Sequence, residues 1–315
     1  MVSLQLASTN EPERGSRAMA SRTRLFDLTF GLVEDVRAGG ALNELDREAF
    51  SAEFQVALPY RGLFVWHVGD DEVVGDANQA LFVTGGERYR MSHPVAGGYA
   101  ELIVTPAVSV VEELGHASGG ALASHALFRR RSRRVSPSLQ AIRAQLLFQA
   151  LGGANDDVLA AEELVLALLR SALDDDSTRR NPARSTQKLI ARTKAYLEAE
   201  QAHTVRLADV GNAVGASPVY LTQVFRAVEG VPLHRYLTQL RLARALVELS
   251  QADDLTELAL DLGFSSHSHF SARFHAAFGT TPSQFRERAR GWLRPRRNVT
   301  TRLDDGRIEG PRRSG

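Results

Sequence analysis

LTELALDLGFSSHSHFSARFHAAFGTTPSQF, residues 255–285, holds two helical periods joined at a glycine. Leu255, Leu258, Ala259 and Leu262 recur at i, i+3, i+4 and i+7, so they line one face of a short helix. Gly263 ends it, because glycine accepts the left-handed backbone needed just past a helix C-terminus, and Phe264 can fold back onto the apolar face. The next helix starts at once, with Ser266 or Ser268 as N-cap. Phe270, Phe274 and Phe278 stack at i+4 spacing, and Gly279 closes it. Two short helices joined by a tight glycine turn, the second with a polar outer face, form a helix-turn-helix pattern.

Working toward the N-terminus, the pattern recurs. Leu207–Val214 (LADVGNAV) is a short apolar-faced helix, Gly215 ends it, Ser217 caps the next, and Pro218 sits where a missing N–H costs nothing. Leu221, Val224 and Phe225 form its buried face up to Gly230. Between the copies, Pro232 opens LHRYLTQLRLARALVELS, helical in period throughout. Its 18 residues give a rod of roughly 27 Å, approaching the roughly 34 Å between major grooves one turn apart.

VPLHRYLTQLRLARALVEL followed by LGFSSHSHFSARFHAAFGTTPSQFR closely resembles the C-terminal DNA-binding domain of AraC/XylS-type transcriptional regulators. The resemblance covers about 100 residues, from Thr186 to Arg290, with Gly263, Phe264, Ser266, Phe270, Phe274, Phe278, Gly279, Pro282 and Arg286 in register. It implies that one protomer sets both second helices into successive major grooves. The chain departs from the family at Ala272, where a basic residue is usual, and at Arg273, where a small one is.

On the first recognition helix, burying Leu221, Val224 and Phe225 leaves Val219, Thr222, Gln223 and Arg226 outward, and the resemblance aligns these four with the groove-facing positions. Gln223 can bond adenine N6 and N7, Arg226 a guanine or a phosphate, and Val219 a thymine methyl. His267, Ser268, Ser271 and Ala272 correspond on the second helix, with Arg273 long enough for the backbone. Thr222 and Ser271 can equally be plain polar residues of a wet face. His267 and His269 are an i, i+2 pair that points apart on a helix, which argues against a metal site. Arg241 and Arg244 can reach DNA or pair with Glu248, and Arg286 is expected to be structural.

Charge divides the chain. Residues 184–297 carry 16 Lys/Arg against 10 Asp/Glu, residues 1–183 carry 18 against 24, and the whole chain of 315 residues has a formal net charge of +1. A basic module joined to an acidic one points to a polyanion partner for the first alone. The absence of cysteine excludes disulfides, thiolate zinc sites, cysteine nucleophiles and a suicidal alkyl-transfer repair protein. No apolar run reaches 18 residues, LVLALLRSAL being broken by Arg170, and the N-terminus has no apolar signal core. A cytoplasmic protein without a membrane span is expected.

Residues 1–20 read as a disordered lead. Leu25–Ala49 gives no clear period. From Glu53 the period is two: EFQVALPY, GLFVWHVG, QALFVTGGERYRMSHP and GGYAELIVTP are short strands between turns, which predicts a jelly-roll barrel over 21–115. More loosely, this resembles the cupin-type sensor at the front of such regulators, without the metal-binding histidine motif. Within it Tyr60, Arg61, Trp66, His67, Tyr89 and His93 are candidates for a small-molecule effector pocket; the same aromatics can be plain core. No metal, cofactor or catalytic residue is expected.

Leu114–Leu127 is expected to turn helical. Arg129–Arg134 (RRRSRR) is the densest basic run, either a solvated connector or a phosphate contact. Ser138–Leu151 and Val158–Leu173 read as two amphipathic helices in a connector over 116–175; they can form a dimer contact, as the resemblance implies, or cover the barrel's open side. A linker (176–185), the double helix-turn-helix domain (186–291) and a tail (292–315) complete the chain.

The expectation is therefore an α+β multidomain protein, a cupin-like β-barrel with a helical connector before an all-α domain of two helix-turn-helix units. It would bind operator DNA in sequence, as a homodimer under effector control, with RNA polymerase a candidate partner and activation a candidate outcome. A cupin-type enzyme carrying a helical domain and a protein-partner module are the alternatives. Elemental analysis for metal and competition by random duplex DNA separate them.

Overall fold

The computed structural model describes residues 20–39, 42, 44–46, 48–117, 131–152, 158–173 and 183–293. The expected disordered lead, most of the 176–185 linker and almost all of the tail lie outside them, as do Arg129 and Arg130.

The front half holds two antiparallel sheets. Strands β1 (Ala20–Leu28), β2 (Gly31–Ala38), β3 (Ala49–Phe50), β4 (Gln55–Arg61), β5 (Phe64–Val68), β6 (Asp71–Gly75), β7 (Gln79–Val83), β8 (Arg88–Ser92), β9 (Tyr99–Pro106) and β10 (Ser132–Arg134) build them. A six-stranded sheet runs β1-β2-β9-β4-β7-β10 and a four-stranded one β3-β8-β5-β6. Between them pack Phe64, Trp66, Leu81, Ile103 and Tyr99. Strands β4, β5, β7, β8 and β9 lie in the segments read as strands from Glu53 onward, although β4, β7 and β9 are buried on both faces instead of alternating. β6 falls outside those segments, and β1 and β2 are not legible in the period. β1 is mostly exposed, with a register shift between Arg24 and Phe26, and β2 buries Glu34 and Asp35 amid its apolar residues, so neither shows a clean period.

The outer face of the large sheet is covered by α1 (Val108–Ala117), α2 (Pro137–Leu151) and α3 (Val158–Leu173). Leu139, Leu146 and Leu147 of α2 and Val165, Leu168 and Leu169 of α3 join Val56, Leu58, Leu102 and Val104 in one core. The two connector helices therefore cover the sheet, within one residue of the bounds read from the sequence. The described part of the basic run is neither a loop nor a free cationic patch. Ser132–Arg134 pairs as an edge strand with β7, Arg131 forks onto Glu87, and Arg134 donates to Gln239 at 2.9 Å.

The helical half comprises α4 (Arg184–Ala199), α5 (Leu207–Val214), α6 (Pro218–Glu229), α7 (Leu233–Glu248), α8 (Leu255–Asp261), α9 (His267–Phe278) and α10 (Pro282–Trp292). It is docked on the front half at several places, Ala191 and Ala195 of α4 packing on Leu63, Val65 and Val74 among them. Phe148 and Ala144 of α2 enter the core of the second unit with Phe264, Phe270, Phe274 and Phe285, and a Cβ on Gly152 would lie 1.8 Å from the Trp292 carbonyl oxygen.

The first unit is held by a buried polar network at the β6–β7 turn. The Tyr236 hydroxyl donates to Asp76 Oδ2 at 2.6 Å, Asn78 Nδ2 to the Tyr236 carbonyl at 3.1 Å, and Gln79 Nε2 to Glu229 Oε2 at 3.0 Å. Lys194 of α4 pairs with the other Glu229 oxygen at 2.8 Å. Beneath it, Gln140 donates to the Ala77 carbonyl and Asn78 Oδ1, and the fully buried Arg143 donates to the Pro59 carbonyl. Burial pushes the Arg143 guanidinium down to about 9. Such groups persist in a desolvated interface only when mutually bonded, so they fix one docking geometry.

Candidate nucleic-acid interface

Each unit is built from the same local devices. In the first, Gly215 takes φ +69° after α5, and the Ser217 side chain accepts from the Tyr220 N–H at 3.3 Å while Pro218 fills the first turn of α6. Gly230 closes α6 at φ +74°.

In the second, Asp254 caps α8 by accepting from the Thr256 N–H at 2.6 Å, which with the Glu257 N–H holds its carboxyl below the usual range. Gly263 takes φ +81°, and the Phe264 N–H returns to the Ala259 carbonyl at 2.9 Å. Ser266, of the two candidate serines, caps α9 through the His269 N–H at 3.1 Å. Thr281 and Gln284 then form a capping box at α10.

Behind the faces lie aromatic cores. Phe225 meets Tyr236 edge-on at 5.2 Å in the first unit; Phe264, Phe270, Phe274 and Phe278 form a ladder with centroids 4.6–5.6 Å apart in the second. The arginines of the inner elements serve as braces. Arg241 donates to the Gln201 and His203 carbonyls at 2.7 Å each, Arg286 to those of Ala252 and Asp253, and Arg290 to that of Ser250. Arg244 pairs with Glu248 at 2.7 Å.

With those groups turned inward, the outer faces of α6 and α9 stay open. Val219, Gln223 and Arg226 are exposed on α6; Ser268, Ala272 and Arg273 are exposed on α9. Among the described residues no side-chain hydrogen bond engages Gln223 or Arg226. Thr222, His267 and Ser271 are half-buried: Thr222 donates to the Val219 carbonyl at 2.9 Å, and Ser271 sits 3.4 Å from His267 Nε2. His269 links Ser265 at 3.0 Å with Arg273 at 3.4 Å. Sequence reasoning passed over Tyr220, which stands 52% exposed beside Val219. Its signal was an aromatic outside the Leu221, Val224, Phe225 stripe.

The six effector candidates do not converge. Trp66 and Tyr89, rings 5.0 Å apart, line a residual cavity of about 20 Å³ between the sheets with the buried Glu101, whose Oε2 has no partner and whose carboxyl burial pushes up to about 8. His67 bonds Ser92 at 2.8 Å, and His93, stacked on Tyr99, bonds Asp46 at 3.0 Å. Tyr60 donates to Asp35 at 2.6 Å; with Arg61 it borders a far larger groove of about 380 Å³ against the helical half. No group of three metal-ligating side chains occurs among the described residues.

By sequence, the helical half is similar to known proteins. A helix-turn-helix domain family model matches residues 210–288. The regulatory protein SoxS of Escherichia coli K12 is 34% identical over 105 residues, which is 33% of this chain and 98% of SoxS. The putative HTH-type transcriptional regulator YkgA of the same strain is 33% identical over 104 residues, 32% of this chain, and the match spans 43% of YkgA's length. Among solved structures, ToxT from Vibrio cholerae is 11% identical, the match covering 87% of this chain and 98% of that one with a TM-score of 0.32.

Proposed function

The chain belongs to the AraC/XylS family of DNA-binding transcriptional regulators, which are not enzymes, and from that premise we propose that it binds operator DNA in sequence through α6 and α9 under the control of a small molecule. The observation that carries the reading is the pair of serine-capped, glycine-closed helices whose outer faces remain open while their inner faces are packed on aromatic cores and braced. Val219, Thr222, Gln223 and Arg226 address one major groove; His267, Ser268, Ser271, Ala272 and Arg273 address the next. Gln223 and Arg226, with no side-chain hydrogen bond among the described residues, are the base readers, and Tyr220 and Arg273 hold phosphates.

The same reading divides the chain into a front sensor (21–115), a helical connector (116–175), a linker (176–185) and the DNA-binding domain (186–291), acting in the cytoplasm. Among the described residues no helix is long and apolar enough to cross a membrane. It includes a homodimer, for which the exposed Val158 and Leu159 at the start of α3 are the apolar side chains a second copy would cover, and a contact with RNA polymerase. Selection of bound fragments from a genomic library, followed by footprinting, tests it. Two protected major grooves per protomer, with affinity falling as salt rises, are expected; binding that ignores sequence would overturn it.

A further inference from the structure

The groove of about 380 Å³ lies within the range of small-molecule sites, whereas the space between the sheets holds about 20 Å³. Its walls come from both halves: Tyr60–Gly62 and Val95–Gly98 in front, and Glu198, Gln201, Leu240 and Val247 behind. Four charged side chains face it. Arg244 and Glu248 neutralise each other at 2.7 Å, and Arg61 is an exposed rim residue, which leaves Glu198 as the carboxylate without a cation of its own. Burial, reinforced by the Asp76 carboxylate, pushes Glu198 up to about 7 even with Arg244 nearby, and the Gln201 side-chain amide donates to the Glu198 backbone carbonyl at 3.1 Å. The rest of the lining is largely apolar: Ala77, Val95, Leu240 and Val247.

The groove also reaches both DNA-reading units. Leu240 and Val247 belong to α7, the rod between them. The Gln201 carbonyl accepts from Arg241 at 2.7 Å and lies 2.5 Å from where a Cβ on Gly263 would be, at the turn of the second unit.

We propose that this groove, rather than the interior between the sheets, is the effector site, and that it takes a compact organic amine whose ammonium pairs with Glu198 while its apolar body lies against Val95, Leu240 and Val247. The proposal rests on the effector-controlled reading above, and binding and DNA response are measured separately so that each can fail alone.

The test titrates the full chain with benzylamine, and with benzyl alcohol and benzoate as uncharged and anionic matches, at millimolar concentration by NMR. Benzylamine is expected to bind tightest and to shift Gly62, Gly98 and Ala202. Glu198→Gln should weaken it at least about tenfold, the loss expected of one charge-assisted hydrogen bond. Ala202→Leu, which leaves the carboxylate in place and fills the groove, should weaken all three probes. Benzoate binding as well as the amine, Glu198→Gln leaving the amine affinity unchanged, shifts confined to Trp66 and Tyr89, or no binding by any probe would each overturn the site. Benzylamine binding at Glu198 with unaltered operator affinity would keep the site and remove the effector role.

Discussion

Replacing Tyr236 by Phe removes one oxygen from the centre of the interface between the two halves. The ring keeps its edge-on contact with Phe225 at 5.2 Å and stays beneath Lys194, 5.3 Å from the ring centroid, so packing is unchanged. What is lost is the 2.6 Å bond to Asp76 Oδ2 and a long 3.5 Å bond from Gln79 Nε2, which keeps Glu229; Asp76 Oδ1 still accepts from the Asn78 N–H at 2.9 Å. A buried carboxylate oxygen stripped of its donor costs about 1.5–3 kcal/mol. The loss should depend on pH with a definite sign. Burial already raises the Asp76 pKa, so its native form prefers the proton and its contribution to stability falls as pH rises from the unfolded value through the folded one. Removing the tyrosine donor raises that pKa further. The variant should therefore lose more at the alkaline end of the titration, where Asp76 is ionised, than at the acid end, where a protonated Asp76 needs no donor. Urea titration followed by tryptophan fluorescence reads both halves, because Trp66 lies between the sheets and Trp292 ends α10. A destabilisation below about 0.5 kcal/mol, or one that shrinks as pH rises, would refute a desolvated network at this interface.

Other outcomes follow from the same geometry. Gly263→Ala should cost well over the roughly 1–2 kcal/mol of a left-handed residue, because its Cβ would also lie 2.5 Å from the Gln201 carbonyl oxygen; Gly279→Ala, at φ +68° with open space around it, should cost only the backbone term, and equal losses in thermal unfolding would contradict the difference. Gln223→Ala should leave stability within about 0.5 kcal/mol and relax discrimination at one base by about 1–3 kcal/mol in anisotropy titrations with single-base operator variants. Arg226→Ala should relax discrimination at one base and leave the slope of log affinity against log salt unchanged; a slope reduced by about 0.9 with unaltered base preference would make Arg226 a phosphate contact instead of a base reader. Glu101, raised to about 8 by burial, favours the native state at low pH and withdraws that contribution as pH rises from about 4.5 to 8; Glu101→Gln should flatten this dependence, by at most about 5 kcal/mol, as read by urea midpoints across the window.

What could be read from the residues was local. Caps, glycine stops and apolar stripes act within four or five positions, so α2, α3 and the two helix-turn-helix units emerged with nearly the bounds observed. The spacer helix α7 is 16 residues, about 24 Å, a little shorter than the rod inferred from period alone. Strand β1 escaped because a mostly exposed strand has no alternation, and β10 because its Ser-Arg-Arg sequence reads as solvated charge until Arg131 finds Glu87 and Arg134 finds Gln239. The network at the domain boundary was illegible for another reason. Asp76 and Tyr236 are 160 residues apart, and nothing in either neighbourhood marks a buried carboxylate or phenol. The outward residues of α6 and α9 were identifiable by subtraction, since the buried stripe is unmistakable and the remainder must face solvent or a partner.

The central claim is that both units grip one face of one duplex at the same time. The most direct measurement compares the selected operator with a version carrying about five extra base pairs between its two contacted grooves, which turns one groove roughly half a helical turn away. Affinity for the lengthened site should collapse toward that of a single half-site, and a further insertion completing about 10.5 base pairs should not restore it, because α7 is too short a rod to reach the next turn. Equal affinity for the original and lengthened sites would mean that the two helices do not act together on DNA.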